Sequence, residues 1–144
     1  MKESLALIIN IVCFCRVKPL GRPRINKHTG SIYTPMDAQA ELLQELANWK
    51  IDTIEGPIIV DIKIFFEPRT KKDIENDYIC KPAFGDTDNL TKAIYDGLQH
   101  RKIIKDDIQI VGGSTYKIAS DEDHACIAIY RPDLKDTKYY DQRI

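Results

Sequence analysis

The sequence predicts one α/β domain of the α+β kind over residues 1–144. It should hold a mixed sheet of about four strands packed with at least two helices. Three observations carry this. The chain has 144 residues, and domains commonly run ~100–150 residues. Its apolar fraction is 43% and its charged fraction 30%, with 7 Gly and 7 Pro. That composition is ordinary for a soluble protein and excludes disorder, collagen and coiled coil as the main description. The apolar positions also change period along the chain, in the order β-α-β-loop-α-β-β.

Leu5–Val17 is rich in Leu, Ile, Val and Phe and suits a buried strand. Cys13 and Cys15 lie two apart in it, so they share one strand face and belong in the core. Together with Cys80 and Cys126 they show no C-x-x-C spacing, and free core thiols suit a reducing compartment. The run after Met1-Lys2 superficially imitates a signal peptide. Asn10 interrupts it, no small-x-small site follows, and it falls far short of the ~20 residues that span a bilayer. The expectation is a first strand in a cytoplasmic protein.

Lys18–Pro35 contains Pro19, Gly21, Pro23, Gly30 and Pro35 and reads as a loop, stiff in places. In Met36–Ile51, Met36, Ala40, Leu43, Leu46, Ala47 and Ile51 recur near a 3.6 period, giving an amphipathic helix with Trp49 as a packing residue. Gly56-Pro57 breaks the chain. Ile58, Val60, Ile62, Ile64 and Phe66 then alternate with Asp61 and Lys63, the period of a half-buried strand. Glu67–Gly85 is polar and broken by Pro68 and Pro82. A loop of that length is more often functional than accidental. Asp88 stands where an N-cap is expected, before a helix with the stripe Leu90, Ala93, Ile94 and Leu98. Asp96-Gly97 weakens its far end. Ile108–Gly112 begins a strand that Gly112-Gly113 bulges before it resumes through Ile118. Ala125–Tyr130 alternates as a last strand, and 131–144 form a polar, peripheral tail.

Basic and acidic residues number 21 and 22, a net charge of −1. That balance argues against a generally basic nucleic-acid coat. The distribution says more. Arg16, Lys18, Arg22, Arg24 and Lys27 follow one another with no acid among them, a basic arm on an acidic body and a local anion-binding surface. Arg69, Lys71 and Lys72 form a second cluster, and Arg101, Lys102 and Lys105 a third. Each also suits a plain solvated face. His28, His100 and His124 have no metal-ligand spacing.

The clearest constellation is Gly85-Asp86-Thr87-Asp88-Asn89-Leu90-Thr91-Lys92, followed by Asp106-Asp107. Asp86 and Asp88 point to one side of an extended backbone. Asp107 arrives at the start of the strand after the helix, so the three meet at one end of the sheet. Three hard oxygen donors suit Mg²⁺ or Mn²⁺. Lys92 lies one turn after Asp88 and offers a cation to a developing phosphorane charge or an attacking water. Each residue also has a bland reading: Asp88 as a cap, Asp86 in an Asx turn, Asp106-Asp107 as a turn, Lys92 paired with Asp88 or Asp96. An EF-hand fails, because counting from Asp86 the sixth residue is Thr91 and the twelfth Gly97.

The whole string is more specific than D-x-D. Asp86-x-Asp88-Asn89-Leu90-x-Lys92, then Asp96-Gly97-Leu98, then Asp106-Asp107-x-Gln109-Ile110, with Lys117 beyond, resembles the RusA family of Holliday junction resolvases. Gly21-Arg22-Pro23-Arg24 followed by Tyr33-Thr34-Pro35 is similar to that family's N-terminal region. The resemblance implies a RusA-like fold and a homodimer that cuts four-way DNA junctions hydrolytically with Mg²⁺ or Mn²⁺, in recombination and repair. It implies Asp86, Asp88 and Asp107 as metal ligands and Lys92 as the catalytic lysine, with either Asp106 or Asp107 facing the metal. DNA contacts then fall to Arg16, Lys18, Arg22, Arg24, Lys27, Arg69, Lys71, Lys72 and Lys117. A phage or prophage setting is plausible. Two other readings stand beside it. One is a non-catalytic branched-DNA-binding module. The other is a D-x-D nucleotide-sugar transferase, for which the chain leaves no room for a second binding domain.

Overall fold

The computed structural model describes residues 5–20, 24–33, 39–68 and 85–132. In chain order these form β1 (Leu5–Cys13), a short hairpin of β2 (Arg24–Ile25) and β3 (Ile32–Tyr33), α1 (Ala40–Ala47) and β4 (Ile58–Phe66). Then come α2 (Thr87–His100), a 3₁₀ turn (Asp107–Gln109), β5 (Ile110–Ala119) and β6 (His124–Pro132). The main sheet has the order β1-β6-β4-β5. β6 pairs antiparallel with both β1 and β4, whereas β4 and β5 run parallel. A parallel pair requires a crossover, and α2 supplies it. This is the α+β fold with a four-stranded mixed sheet and two helices that the sequence pattern predicts.

Alternation does the sorting. Ile58, Val60, Ile62, Ile64 and Phe66 of β4 are buried on one face, beside Ile11 and Cys13 of β1 and Ala125, Ile127 and Ile129 of β6. Leu42 and Leu46 of α1 and Leu90, Ile94 and Leu98 of α2 close over that face as one core. The opposite face carries Asn10, Asp61, Lys63, Phe65, Tyr116 and Tyr130 around a shallow concavity. There Asp61 accepts hydrogen bonds from the Ser114 amide (3.1 Å) and hydroxyl (3.0 Å).

Several boundaries differ from expectation, each for a local reason. β1 leaves the ladder at Cys13 rather than Val17. Beyond it, the Phe14 amide donates to the Glu45 carboxylate and the Arg16 guanidinium binds Asp123 and the Glu67 carbonyl. Cys15 and Val17 remain buried all the same. The loop reading of Lys18–Pro35 misses the β2–β3 hairpin. α1 is assigned from Ala40; positions 36–38 of the expected helix lie outside the described residues. It closes early because the Asn48 and Trp49 amides turn back to the Glu45 and Leu46 carbonyls. Trp49 and Ile51 still pack against the core.

The N-cap position of α2 falls at Asp86, not Asp88, with no side-chain capping bond. The helix also runs straight through Gly97, where the two helices touch. A Cβ at Gly97 would lie 3.0 Å from a Leu46 methyl and 3.4 Å from one of Leu42. Ile108 belongs to the 3₁₀ turn rather than to a strand. The bulge falls one residue before the expected Gly112-Gly113: Ile58 pairs with Ile110 but Ile59 with Gly112, leaving Val111 as the extra residue. Gly113 follows at φ +148°, where a Cβ would collide with the Val60 carbonyl. β6 continues past Tyr130 to Pro132, and Arg131 donates to the Pro57 carbonyl at 2.8 Å. Residues 133–144 of the expected tail lie outside those described. Among the described residues no helix is long and apolar enough to cross a membrane.

Burial pushes the Cys13 and Cys15 thiols from 9.0 up to about 12; after desolvation the next contributor is Cys15 for the former and Glu45 for the latter. The unfolded chain releases these protons near 9 while the native chain retains them. The stability they confer is therefore intact below pH 9 and erodes as pH rises toward 12. Over that window the unfolding free energy is expected to fall by about 1.4 kcal/mol per pH unit for each thiol. Urea denaturation on either side of pH 9 measures this. The Cys13→Ala/Cys15→Ala protein should show a flatter profile, and an unchanged slope contradicts the assignment. At the helix contact, Gly97→Val should cost roughly 1–3 kcal/mol through overpacking. That cost is read as a lower urea midpoint at constant m, and an unmoved midpoint refutes the close approach.

Candidate active site

The polar side of α2 is set by its buried side. Leu90, Ala93, Ile94, Gly97 and Leu98 face the core, so a 3.6-residue period turns Asp88, Lys92 and Asp96 toward solvent as one row. Asp86 caps the helix with extended backbone (φ −74°, ψ 150°), and its carbonyl accepts from the Leu90 amide at 3.0 Å. Its carboxylate makes no capping hydrogen bond. Asp86 and Asp88 are both exposed. Among the described residues, neither carboxylate has an ion-pair or hydrogen-bond partner. The helix N-terminus itself favours negative charge there.

The approach to Asp86 is held from several directions. Gly85 adopts φ +92°, and a Cβ there would meet Pro19 at 3.0 Å. Its carbonyl accepts from Lys117 Nζ at 3.1 Å. The Leu20 amide donates to Asn89 Oδ1 at 3.2 Å. Gln39, buried ahead of α1, donates through Nε2 to the Lys18 carbonyl (2.8 Å) and the Pro19 carbonyl (3.3 Å). Residues 18–20 thus form a strap laid across the start of α2.

Lys92 is the hub of the polar row. Its Nζ stands 3.3 Å from Asp96 Oδ1 and 3.5 Å from Asp107 Oδ2. Its pKa is raised, by Asp96 first; partial burial opposes this, and Asp107 adds to it. The side chain is about half exposed. Pairs of this kind contribute ~0–1 kcal/mol, so the ammonium is held cationic without being locked in place. Asp107 is positioned through its backbone, whose amide donates to Gln99 Oε1 at 3.1 Å. Tyr95 lies nearby with its pKa raised by burial, then by Asp61 and Asp107. Thr91 and Thr115 share a 2.6 Å hydroxyl contact that ties α2 to β5.

The two adjacent acids have different work. Asp106 caps the 3₁₀ turn. Its carboxylate accepts from the Ile108 amide at 3.0 Å, while Gln109 Oε1 accepts from the Lys105 and Asp106 amides at 2.8 Å each. This is a reciprocal capping box. Asp106 is therefore occupied by the turn, and Asp107 is the member that faces Lys92. As they stand, no three His, Cys, Asp or Glu side chains among the described residues lie close enough together to form a metal centre. Asp107 and Lys92 are brought together. Asp86 and Asp88 stand at the helix N-terminus, with Asp88 one turn before Lys92.

The basic residues divide likewise. Arg16 is drawn into the fold, 3.0 Å from Asp123 Oδ2 and 2.7 Å from the Glu67 carbonyl, with its guanidinium 5.6 Å from the Phe66 ring centre. Lys117 is occupied by the Gly85 carbonyl. Lys18 and Lys27 are exposed, and Arg24 begins the hairpin. Arg22, Arg69, Lys71 and Lys72 lie outside the described residues. Sequence reasoning missed Gln39, and it held Asn89 and Gln109 only as members of the motif string, with no role assigned. The Asp106-x-x-Gln109 spacing is itself a capping-box signal. Asn89 and Gln39 act on partners 69 and about 20 residues away, for which no local signal exists.

A small α+β domain whose acids at a helix N-terminus have no partner among the described residues, with a lysine one turn further along the helix, has the makings of a phosphodiester-cleaving enzyme. The family profile for endodeoxyribonuclease RusA matches residues 15–130. That is most of the chain, and the chain belongs to the RusA family of endodeoxyribonucleases, the Holliday junction endonucleases that act on branched DNA. A search of curated proteins returned no match.

The division of labour between the adjacent acids is testable. Asp106→Ala should lose about 1 kcal/mol of stability through the cap, whereas Asp106→Asn should stay within a few tenths, since Asn caps as well as Asp. Equal losses in thermal or urea unfolding contradict the capping role.

Proposed function

We propose that this protein resolves four-way DNA junctions by metal-dependent hydrolysis, in paired symmetric cuts made by a two-fold homodimer in the cytoplasm during recombination and repair. The observation that supports it best is the row on α2. Two exposed carboxylates, Asp86 and Asp88, have no partner among the described residues, and Lys92 sits between their end of the helix and Asp107. Exposed carboxylates with no partner among the described residues, at the positive end of a helix, are open to a ligand.

Asp86, Asp88 and Asp107 stand apart in this structure; drawn together they would hold the ion, and their hard oxygens fit Mg²⁺, with Mn²⁺ as a substitute. A bound Mg²⁺ would supply charge neutralisation at the phosphoryl oxygens and a water of lowered pKa. Lys92, held loosely and kept cationic, is suited to swing from Asp107 onto a non-bridging phosphate oxygen or to orient the attacking water. Asp96 steadies the ammonium when Asp107 is engaged elsewhere. Lys117 acts through Gly85, fixing the backbone that carries Asp86, so it is a positioning residue. Phosphate contacts fall to Lys18, Arg22, Arg24 and Lys27 of the arm and to Arg69, Lys71 and Lys72. The ion pair of Arg16 with Asp123 takes it out of that set. Each phosphate neutralised would add about 0.9 to the slope of log affinity against log salt. Two symmetric cuts need two sites, and a two-fold dimer is the simplest assembly that provides them.

A labelled synthetic four-way junction, incubated with Mg²⁺ or with EDTA beside a linear duplex of the same sequence, tests this. Paired, symmetric, Mg²⁺-dependent nicks on the junction alone are expected. Lys92→Ala should slow them by roughly 10²–10³-fold, the scale of one lost transition-state donor. Asp88→Asn should bind the junction but not cut it. Binding without cleavage by the unmutated protein in Mg²⁺ and in Mn²⁺ would falsify the enzyme and leave the branched-DNA-binding module.

A further inference from the structure

The β2–β3 hairpin has no role in the acid site, yet it is built with care. The Asn26 amide donates to the Ser31 carbonyl and the Gly30 amide to the Asn26 carbonyl, both at 2.8 Å. Asn26 Oδ1 accepts from the His28 and Thr29 amides. Gly30 supplies the left-handed residue at φ +72°. The turn is thus closed by its own hydrogen bonds. What it presents is unusual for a short surface hairpin: Ile25 and Ile32 stand directly opposite each other and are 66% and 74% exposed. Directly paired residues share a face, so the two form one apolar patch.

The surroundings indicate what covers that patch. No Asp or Glu occurs between Glu3 and Asp37, while Arg22, Arg24 and Lys27 flank the pair in sequence. A second copy of the hairpin would bring like charges together. A polyanion with an exposed apolar surface is the complement. Duplex DNA keeps its base faces stacked, but a branch point offers a base pair with one face uncovered. Proteins that exploit such steps insert Ile, Leu or Phe against them.

The hairpin is also leashed to the acids. Leu20 is held by Asn89 in the first turn of α2, and three residues, a reach of at most ~14 Å over four steps, separate it from Arg24. On the return, five residues, a reach of at most ~21 Å over six steps, separate Tyr33 from Gln39, which holds the same strap. We propose that the Ile25–Ile32 face is a wedge that packs on the unstacked base pair at the branch point of a DNA junction. Its leash then sets which phosphate reaches the acidic end of α2. This inference rests on the junction reading of the site.

The test uses the full chain in EDTA, so that nothing is cut, with 2-aminopurine beside the branch point of a synthetic junction. Wild type should brighten the probe. Ile25→Thr/Ile32→Thr keeps β-branching but removes the apolar contact. It should lose the brightening and roughly tenfold in junction affinity, with linear-duplex affinity unchanged. Ile25→Val/Ile32→Val should behave as wild type. A Thr variant that brightens and binds like wild type overturns the wedge while leaving the nuclease reading intact. A Thr variant that dissociates a wild-type dimer in sedimentation overturns it in favour of a self-contact. Wild type that neither prefers the junction to duplex nor, in Mg²⁺, cuts it overturns the junction reading and the wedge with it.

Discussion

The rotation of α2 about its own axis is fixed by burial of Leu90, Ile94 and Leu98 against the sheet. Fully burying a Leu or Ile contributes roughly 1.5–3 kcal/mol, and a 14-residue helix has little stability in water without such packing. Turning the helix by one residue would expose that stripe and drive charged side chains into an apolar core, at several kcal/mol each. The row Asp88, Lys92 and Asp96 is therefore held outward by the core rather than by its own contacts, which are weak. That separation suits a site whose charges must be free to exchange partners.

The second constraint is the join between the basic arm and the acidic helix. Pro19 against Gly85, Leu20 on Asn89, Lys117 on the Gly85 carbonyl and Gln39 on the strap carbonyls bind four distant pieces of chain at one point. The cations proposed to bind phosphate and the acids proposed to hold the metal thereby leave the same short segment. A net acidic domain can then meet DNA, because the cations are concentrated beside the acids that would otherwise repel it. The 3₁₀ turn completes the frame from the other side, with Asp106 consumed as its cap and Asp107 delivered to Lys92.

Much of this was legible in the sequence. The strands at Ile58–Phe66 and Ala125–Tyr130 announced themselves by alternation, and α2 by its stripe. The acid and lysine string pointed to the family that the profile match establishes. What was not legible has a common cause. The strap, the Gly97 contact and the role of Lys117 depend on residues far apart in sequence, and Lys117 read from sequence alone is simply another cation. Asp88 reads as the cap because Asp, Thr and Asp in succession offer three candidates; the helix takes the first, with the Leu90 amide on the Asp86 carbonyl. The hairpin hid inside a loop rich in Gly and Pro, because two-residue strands have no period to detect.

The central claim is that Asp86, Asp88 and Asp107 hold a divalent ion. Paramagnetic broadening of backbone amide resonances by substoichiometric Mn²⁺ addresses it most directly, without DNA and without cleavage. Selective loss of signal from Asp86–Lys92 and around Asp107 is expected, reversed by excess Mg²⁺ and weakened in Asp88→Asn. Broadening that is uniform, or centred on other carboxylates such as Glu41 and Glu45 of α1, would contradict it.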